Sequence, residues 1–453
     1  MKKQIFLIGA GKSAQSLIHY LVNNVLGEEF QLVVGDIKSA RVKDATKELK
    51  NVSVIQIDVS EKEKLAAHIY QSVLVISMVP TGLHYPIAKI CVKLQKSLLT
   101  ASYPSSAIHN LDQEARSRGV LLMTECGLDP GIDHMSAMRE IHAIRKIGGE
   151  ITSFKSYTGG LVAPESDDNP WGYKITWNPK NVVLAGSEGV KFIRDNKYKY
   201  IPYHNLFKRT EKVVVNGYGE FEAYPNRNSL DYQKIYTLEN VATILRGTLR
   251  KKGFCEAWDV LVQLGYTNDT VMIDNLTKLN LREVTNSFLP FHKSFTVEQK
   301  LQKRFELNPS VMERLTYLGI FDNTSLPHSL ASAADVLLFL ITTKWKLQEE
   351  DKDMVVMQHQ FEYTIGSEKF QKKSSLIIKG RNKSKTAMAN TVGLPMGIMA
   401  KLILEGKIKQ TGICRPVYPE MYTAILNELE NYNIKFTKKI LRLHSHNPSL
   451  RED

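Results

Sequence analysis

Gln4-Ile5-Phe6-Leu7-Ile8-Gly9-Ala10-Gly11-Lys12-Ser13-Ala14 decides the fold. A short apolar strand runs directly into Gly-x-Gly-x-x-Ala, the variant in which alanine replaces the third glycine at the helix–strand contact. Gly9 makes the tight turn, and Gly11 lets a pyrophosphate reach the backbone. The helix that follows, from Ala14 to about Asn24, offers free N–H groups and a positive dipole end to that anion, with Ala10, Lys12 and Ser13 alongside. The motif alone is weak. Its position, after a strand and before an amphipathic helix, gives it weight. A second strand, Gln31-Leu32-Val33-Val34-Gly35-Asp36, ends in an acid 25 residues after Gly11, near the ~20-residue offset of a carboxylate that accepts from the adenosine ribose. Capping of the next helix is the competing role for Asp36. A carboxylate there favours NAD and repels a 2′-phosphate. Lys38 and Arg41 lie close enough to temper that choice, so NADP stays open.

From residue 1 to 130 short apolar strands at 4–8, 31–36, 52–57, 73–78, 97–101 and 119–124 alternate with helical patterns. This predicts an α/β fold with a Rossmann-type doubly wound parallel sheet. Ligands of such sheets lie beyond the carboxyl ends of the strands. Three loops fall there: Ser77 to His84, Thr100-Ala101-Ser102-Tyr103, and Glu125-Cys126-Gly127-Leu128-Asp129-Pro130-Gly131-Ile132-Asp133-His134. The last holds two glycines and a proline before a helical pattern that begins near His134. An ordinary strand-to-helix turn is its competing reading.

Residues 131–385 read as a second, mixed α/β substrate domain. Its β-rich stretches are Thr152–Tyr157, Val213–Val215, Glu220–Tyr224, Met354–Tyr363 and Ser374–Lys379. A helical insertion is expected over about 237–348, as in Val241–Thr248, Ala257–Leu264 and Leu330–Leu347. The last run, 386–453, reads as helical and is a candidate to complete the first domain.

The 453 residues are 43% hydrophobic and 24% charged, ordinary for a globular protein able to bury a large core. No uninterrupted apolar segment approaches the ~20 residues of a membrane span, and the chain opens directly on the cofactor strand. A cytoplasmic protein with no membrane partner and no leader is the expectation. Cys91, Cys126, Cys255 and Cys414 form no CxxC or Cys/His spacing, so no metal is expected. The net charge of +13 invites a nucleic-acid partner. The lysines are dispersed, however, and runs such as Arg250-Lys251-Lys252 lack interleaved aromatics, so solvated faces and an anionic small substrate account for them better.

Three clusters narrow the chemistry of the second domain: Ser156 to Glu165 with Asp168 to Lys174, Ala223 to Arg227, and Leu245 to Arg250. Arginine's planar fork matches a carboxylate bidentately. Taken singly, each arginine also fits a surface or structural ion pair. With GAGKSAQ (9–15), ISMVP (76–80), TASY (100–103), GLDPGIDH (127–134), SYTGGLVAPE (156–165), NPWGYK (169–174), YPNR (224–227), RGTLR (246–250) and TVGLP (391–395) in this order, the chain resembles saccharopine dehydrogenase (L-glutamate-forming), or saccharopine reductase, along essentially its whole length.

The resemblance implies a Rossmann domain, a mixed α/β domain and a helical domain, a homodimer, and a role in lysine metabolism. The implied reaction cleaves saccharopine, a substrate with several carboxylates, into glutamate and 2-aminoadipate 6-semialdehyde. It puts the dinucleotide on Ala10 to Ser13, Asp36-Ile37, Asp58-Val59, Val79 and Thr100-Ala101. Saccharopine falls near Ser102, Asp129, Arg227, Thr248, Leu249 and Arg250. Two positions depart from the biosynthetic reductase: Thr158 replaces a cysteine, and Asp36 replaces a basic residue. The implied chemistry is oxidation of the secondary amine to an imine that water hydrolyses, and it requires neither a nucleophile triad nor a metal. Asp129 is the candidate catalytic residue, holding the substrate amine or a water, against a helix-cap role. Carboxynorspermidine- or homospermidine-type imine chemistry is the rival enzyme reading, and a non-catalytic NAD-binding Rossmann protein the rival from another class. Polyamines would call for acids and aromatics, whereas Arg227 and Arg250 suit carboxylates.

Overall fold

A computed structural model describes residues 2–443, apart from the side chains of Arg41 and Thr277. The chain divides into two compact units, Met1–Gly148 with Ser384–Phe436, and Gly149–Lys383 with Thr437–Asp453. The first carries β1 (Lys3–Ile8), β2 (Phe30–Asp36), β3 (Val52–Gln56), β4 (Ser72–Ser77), β5 (Ser97–Thr100) and β6 (Leu121–Met123). To the second belong β7 (Glu150–Val162), β8 (Val190–Arg194), β9 (Lys197–Ile201), β10 (Glu211–Val215), β11 (Gly219–Pro225), β12 (Thr243–Arg250), β13 (Asp353–Ile365) and β14 (Glu368–Lys379). The chain then returns to the first unit for β15 (Gly412–Cys414), and its described part ends in the second with β16 (Thr437–Leu443).

In the first unit the sheet order is β15-β6-β5-β4-β1-β2-β3, with every pairing parallel. The order reverses between β1 and β4, the switch point at which doubly wound sheets bind ligands. Ile5 to Ile8 and Leu74 to Ile76 are buried on both faces, which is why these strands read as continuous apolar runs. The helix Ala14–Leu21 packs against the helix Ala387–Leu404 through small residues one turn apart. A Cβ on Gly393 would lie 2.7 Å from the Leu17 nitrogen, and one on Gly397 2.4 Å from the Tyr20 ring.

Ala387–Leu404 is strongly apolar, though interrupted by Asn390, Thr391 and Lys401. At 18 residues and mean hydropathy 1.4 it is long and apolar enough to cross a membrane by length and composition. Its residues are 72% buried, and a buried core helix meets the same test without a lipid neighbour.

The second unit is built on the sheet β10-β11-β12-β7-β13-β14-β16, with β8 and β9 branching from β12. Along that order only β12 and β7 run parallel. Helices, among them Phe254–Leu264 and Ala333–Lys344, pack an aromatic core of Trp171, Tyr173, Phe254, Trp258 and Trp345.

Several boundaries differ from those read in the sequence. Val241–Thr248, expected to be helical, lies largely in β12, inside the sheet. Val241, Ile244, Leu245 and Thr248 recur at helical spacing, but a strand covered on both faces loses its alternation and mimics that period. The helical insertion therefore begins only after β12. The helix Ile132–Lys146 belongs to the first unit, so the break falls near 148 rather than 130. The run 386–453 is not wholly helical, since β16 pairs with β14 in the second unit. Its residues 444–453 lie outside the described residues.

Candidate active site

Every dinucleotide candidate lies at a carboxyl end of the parallel sheet in the first unit. Gly9 has φ +87°, and a Cβ there would sit 2.9 Å from the Met78 carbonyl carbon, so β1 and β4 part with no room for a side chain. Gly11 is different, because its Cβ would meet nothing within 4 Å. The fold leaves space over this turn, where a pyrophosphate would need to approach. Asp36 closes the loop from the next strand. Its Oδ2 accepts from the Ala10 N–H at 2.7 Å and its Oδ1 from the Lys38 N–H at 2.7 Å. Each oxygen keeps lone pairs for a ribose hydroxyl. Ile37 and Lys12 are exposed beside this edge. Asp58 follows β3, its Oδ1 accepting from the Ser60 N–H and hydroxyl at 2.8 and 2.7 Å. Those bonds hold its carboxyl below the usual range. Val59 is buried, and Val79 follows β4 half-buried.

At the ends of β4 and β5 the structure assembles a hydroxyl–imidazole cluster that was not read as a site in the sequence. His84 is fully buried, with Nδ1 2.9 Å from Ser77 Oγ and Nε2 2.9 Å from Ser102 Oγ. Burial pushes its pKa down to about 4, so at neutral pH the ring is uncharged, with one donor and one acceptor nitrogen. Thr100 Oγ1 stands 3.4 Å from the same Nε2, and Ala101 completes the turn. Only the spacing of His84 behind the Pro-Thr-Gly loop could have signalled it.

Beyond β6, Asp129 occupies the turn between Gly127 and Gly131. Its Oδ1 accepts from the Tyr103 hydroxyl at 3.1 Å. The turn requires glycine at 131, where φ is +145° and a Cβ would fall 2.1 Å from the Gly127 oxygen. Asp133 Oδ1 accepts from the Gly131 N–H ahead of the helix Ile132–Lys146. Tyr103 is a second residue that sequence reasoning passed over.

The carboxylate-binding candidates lie in the second unit. Arg250, at the end of β12, is 3% exposed, yet among the described residues no carboxylate pairs with it. Its guanidinium stands over Tyr173 at 5.1 Å, Phe254 at 5.1 Å and Tyr224 at 5.6 Å. One nitrogen donates to the Leu249 carbonyl at 3.0 Å and another to the Tyr224 hydroxyl at 3.2 Å, while the buried Nε has no partner among the described residues. The cross-strand neighbour Glu222 would be the natural counter-ion. Its oxygens instead accept from the Gly253 and Cys255 N–H groups at 2.6 and 3.1 Å. Burial works against the charge of Arg250, but its Tyr224, Tyr173 and Cys255 neighbours outweigh that and raise its pKa, and an arginine stays cationic in a protein. Buried cations are ordinarily paired, so this group suits an anionic ligand.

Thr248 is half-buried beside Thr158, whose Oγ1 is buried without a partner among the described residues. Leu249 is fully buried, which leaves only its backbone for a ligand. Arg227 is exposed, at φ +54° just past β11. Such a backbone is uncommon outside glycine and concentrates at functional sites. Lys174 is spent on Asp168 and Asp351, at 2.8 and 2.7 Å.

Parallel doubly wound topology, a Gly-x-Gly turn at a helix N-terminus and an acid after the second strand define a nicotinamide-dinucleotide oxidoreductase. Family models match almost the whole chain: the saccharopine dehydrogenase NADP binding domain over residues 5–123 and the saccharopine dehydrogenase C-terminal domain over residues 127–434. The chain belongs to the saccharopine dehydrogenase family. It is 30% identical to the saccharopine dehydrogenase (NADP(+), L-glutamate-forming) of Pyricularia oryzae, over 97% of this chain and 99% of that one. The alpha-aminoadipic semialdehyde synthase of Arabidopsis thaliana is 29% identical over 97% of this chain, which spans 45% of that protein. Among solved structures, the Saccharomyces cerevisiae saccharopine dehydrogenase (L-Glu forming) superposes with a TM-score of 0.86 at 29% identity, covering 97% of this chain and all of that one.

Proposed function

We propose that this chain oxidises the secondary amine of saccharopine with a nicotinamide dinucleotide, yielding L-glutamate and 2-aminoadipate 6-semialdehyde once water has hydrolysed the imine. The observation that carries the reading is Arg250, a buried guanidinium with no carboxylate partner among the described residues. When bound, the dinucleotide supplies the hydride acceptor. Gly9 to Ser13, Asp36-Ile37, Asp58-Val59, Val79 and Thr100-Ala101 would hold it. Arg227 and Arg250, with Thr248 and the Leu249 backbone, orient the substrate through its carboxylates. Ser102, fixed by neutral His84, presents a hydroxyl of defined direction. Asp129, steadied by Tyr103, holds the substrate amine or the hydrolytic water and serves the proton transfer. The test is formation of reduced dinucleotide by purified protein given saccharopine. No turnover with saccharopine, together with turnover of a carboxylated polyamine, would transfer the assignment to the polyamine-type reading. The setting we propose, a homodimer in the cytoplasm, is open to gel filtration and cell fractionation.

Within that reading we propose a preference for NAD, although the fungal relatives are named for NADP(+). The support is Asp36, whose carboxylate would accept from a 2′-hydroxyl and repel a 2′-phosphate. The side chain of Arg41, which could offset it, lies outside the described residues. The wild type is expected to show the higher kcat/KM with NAD when both cofactors are compared under identical conditions, and Asp36→Arg to relax or reverse the order. A clear NADP preference in the wild type would sink this role for Asp36.

A further inference from the structure

We infer that Glu125 is a positioning residue that sets Asp129, with His134 and Arg415 holding it in place; this rests on the role proposed above for Asp129. Glu125 is 1% exposed and adopts φ +56°, a left-handed backbone uncommon for any residue but glycine. Its Oε2 lies 3.0 Å from Nε2 of His134, and its Oε1 accepts the Nε–H of Arg415 in a short contact. Glu125 and His134 bracket the eight residues 126–133, so their side-chain bond closes the loop that carries Asp129 at both ends. Inside the loop the turn is drawn tight by the Gly127 N–H, which donates to the Pro130 carbonyl at 2.8 Å. Asp133 extends the chain of contacts, with Oδ2 3.6 Å from His134 Nδ1 and Oδ1 accepting from the Gly131 N–H at 2.6 Å. The backbone of Glu125 fixes the other candidate on this side, because its N–H donates to the Ser102 carbonyl at 3.1 Å. One residue therefore ties Ser102 to the turn that presents Asp129.

The chemistry of the group favours positioning over simple stability. Burial raises the pKa of Glu125, but the bond from His134 and the charge of Arg415 outweigh it and hold the carboxyl at about 2. Such a buried ionic network is no more stabilising than a well-packed apolar one would be. What it adds is direction, since a carboxylate accepts from the arginine and the imidazole at once whereas a hydrocarbon fixes neither.

The experiment is a double-mutant cycle on Glu125→Gln and Asp129→Asn, reading kcat and KM for saccharopine together with dinucleotide affinity. Glutamine keeps the volume but offers one acceptor oxygen in place of two. Glu125→Gln is expected to lower kcat by roughly 10- to 150-fold, the worth of one charged hydrogen bond, with dinucleotide affinity unchanged. The double variant should be no slower than Asp129→Asn alone, because Glu125 acts through Asp129. Arg415→Lys keeps the charge and loses the directed Nε–H, so it should shift kcat in the same direction by less. That variant serves if Glu125→Gln does not fold. Wild-type kcat in Glu125→Gln, or multiplicative losses in the double variant, overturns the inference. Amide exchange over 126–133 in Glu125→Gln, measured without substrate, reads the clamp independently. Faster exchange there supports positioning even if saccharopine proves to be the wrong substrate, and unchanged exchange overturns it.

Discussion

Gly11→Val is expected to abolish dinucleotide binding while leaving cooperative unfolding intact. The fold itself does not demand glycine at this position: φ is not positive, and a Cβ would touch no protein atom within 4 Å. What the added side chain would fill is the approach to the backbone N–H groups at the N-terminus of Ala14–Leu21, where a pyrophosphate is held. Titration of the reduced cofactor by fluorescence, beside a thermal melt, reads both halves of the expectation. Gly9→Val is the contrast. Its Cβ would press on the Met78 carbonyl carbon at 2.9 Å from a backbone at φ +87°, so it should lower the Tm as well as binding. Normal dinucleotide affinity in Gly11→Val would show that the phosphate loop lies elsewhere.

The second large effect is expected at Arg250. A charged hydrogen bond is worth about 1.5–3 kcal/mol, so Arg250→Ala should lower kcat/KM for saccharopine roughly 10- to 150-fold with dinucleotide affinity little changed. Lysine should rescue poorly, having the charge without the planar fork. Because the guanidinium also fills a cage of Tyr173, Tyr224 and Phe254, truncation should reduce the Tm too, and the melt alone does not separate binding from packing. Arg227 separates them. It is exposed, so Arg227→Ala should lose less Tm than Arg250→Ala while losing catalytic efficiency, and saccharopine should protect it less against heat. Turnover of saccharopine at the wild-type rate in both alanine variants would remove the substrate assignment and favour a polyamine-type substrate.

The cofactor half of the site was legible because its signals are local. A strand, a Gly-x-Gly turn, a helix and an acid at a set offset all lie within 36 residues. Each does its work through its own backbone, so order along the chain stands for order in space. The loops after β4, β5 and β6 were legible for the same reason, since the carboxyl ends of parallel strands share one edge. His84 and Tyr103 were not, because their partners Ser102 and Asp129 become partners only when separate strands are laid side by side. β12 was misread because burial on both faces erases the alternation that marks a strand. The β8–β9 hairpin was passed over although its signal is local: Val190-Lys191-Phe192 and Lys197-Tyr198-Lys199-Tyr200 alternate, and Asp195-Asn196, both at positive φ, make the turn between them.

By itself, then, the amino-acid sequence determined the α/β class, the doubly wound first domain, the phosphate turn and the acid at Asp36, all properties of short contiguous segments. Only the tertiary structure decided that β15 completes the parallel sheet while β16 leaves it. It alone showed that Glu222 is spent on the Phe254–Leu264 helix and leaves Arg250 caged without a counter-ion among the described residues, and that Arg415 reaches Glu125 across 290 residues of chain. The physical reason is the same in each case. Whether a charged group is paired, caged or spent depends on which distant segments pack against it, and no local periodicity or composition carries that information.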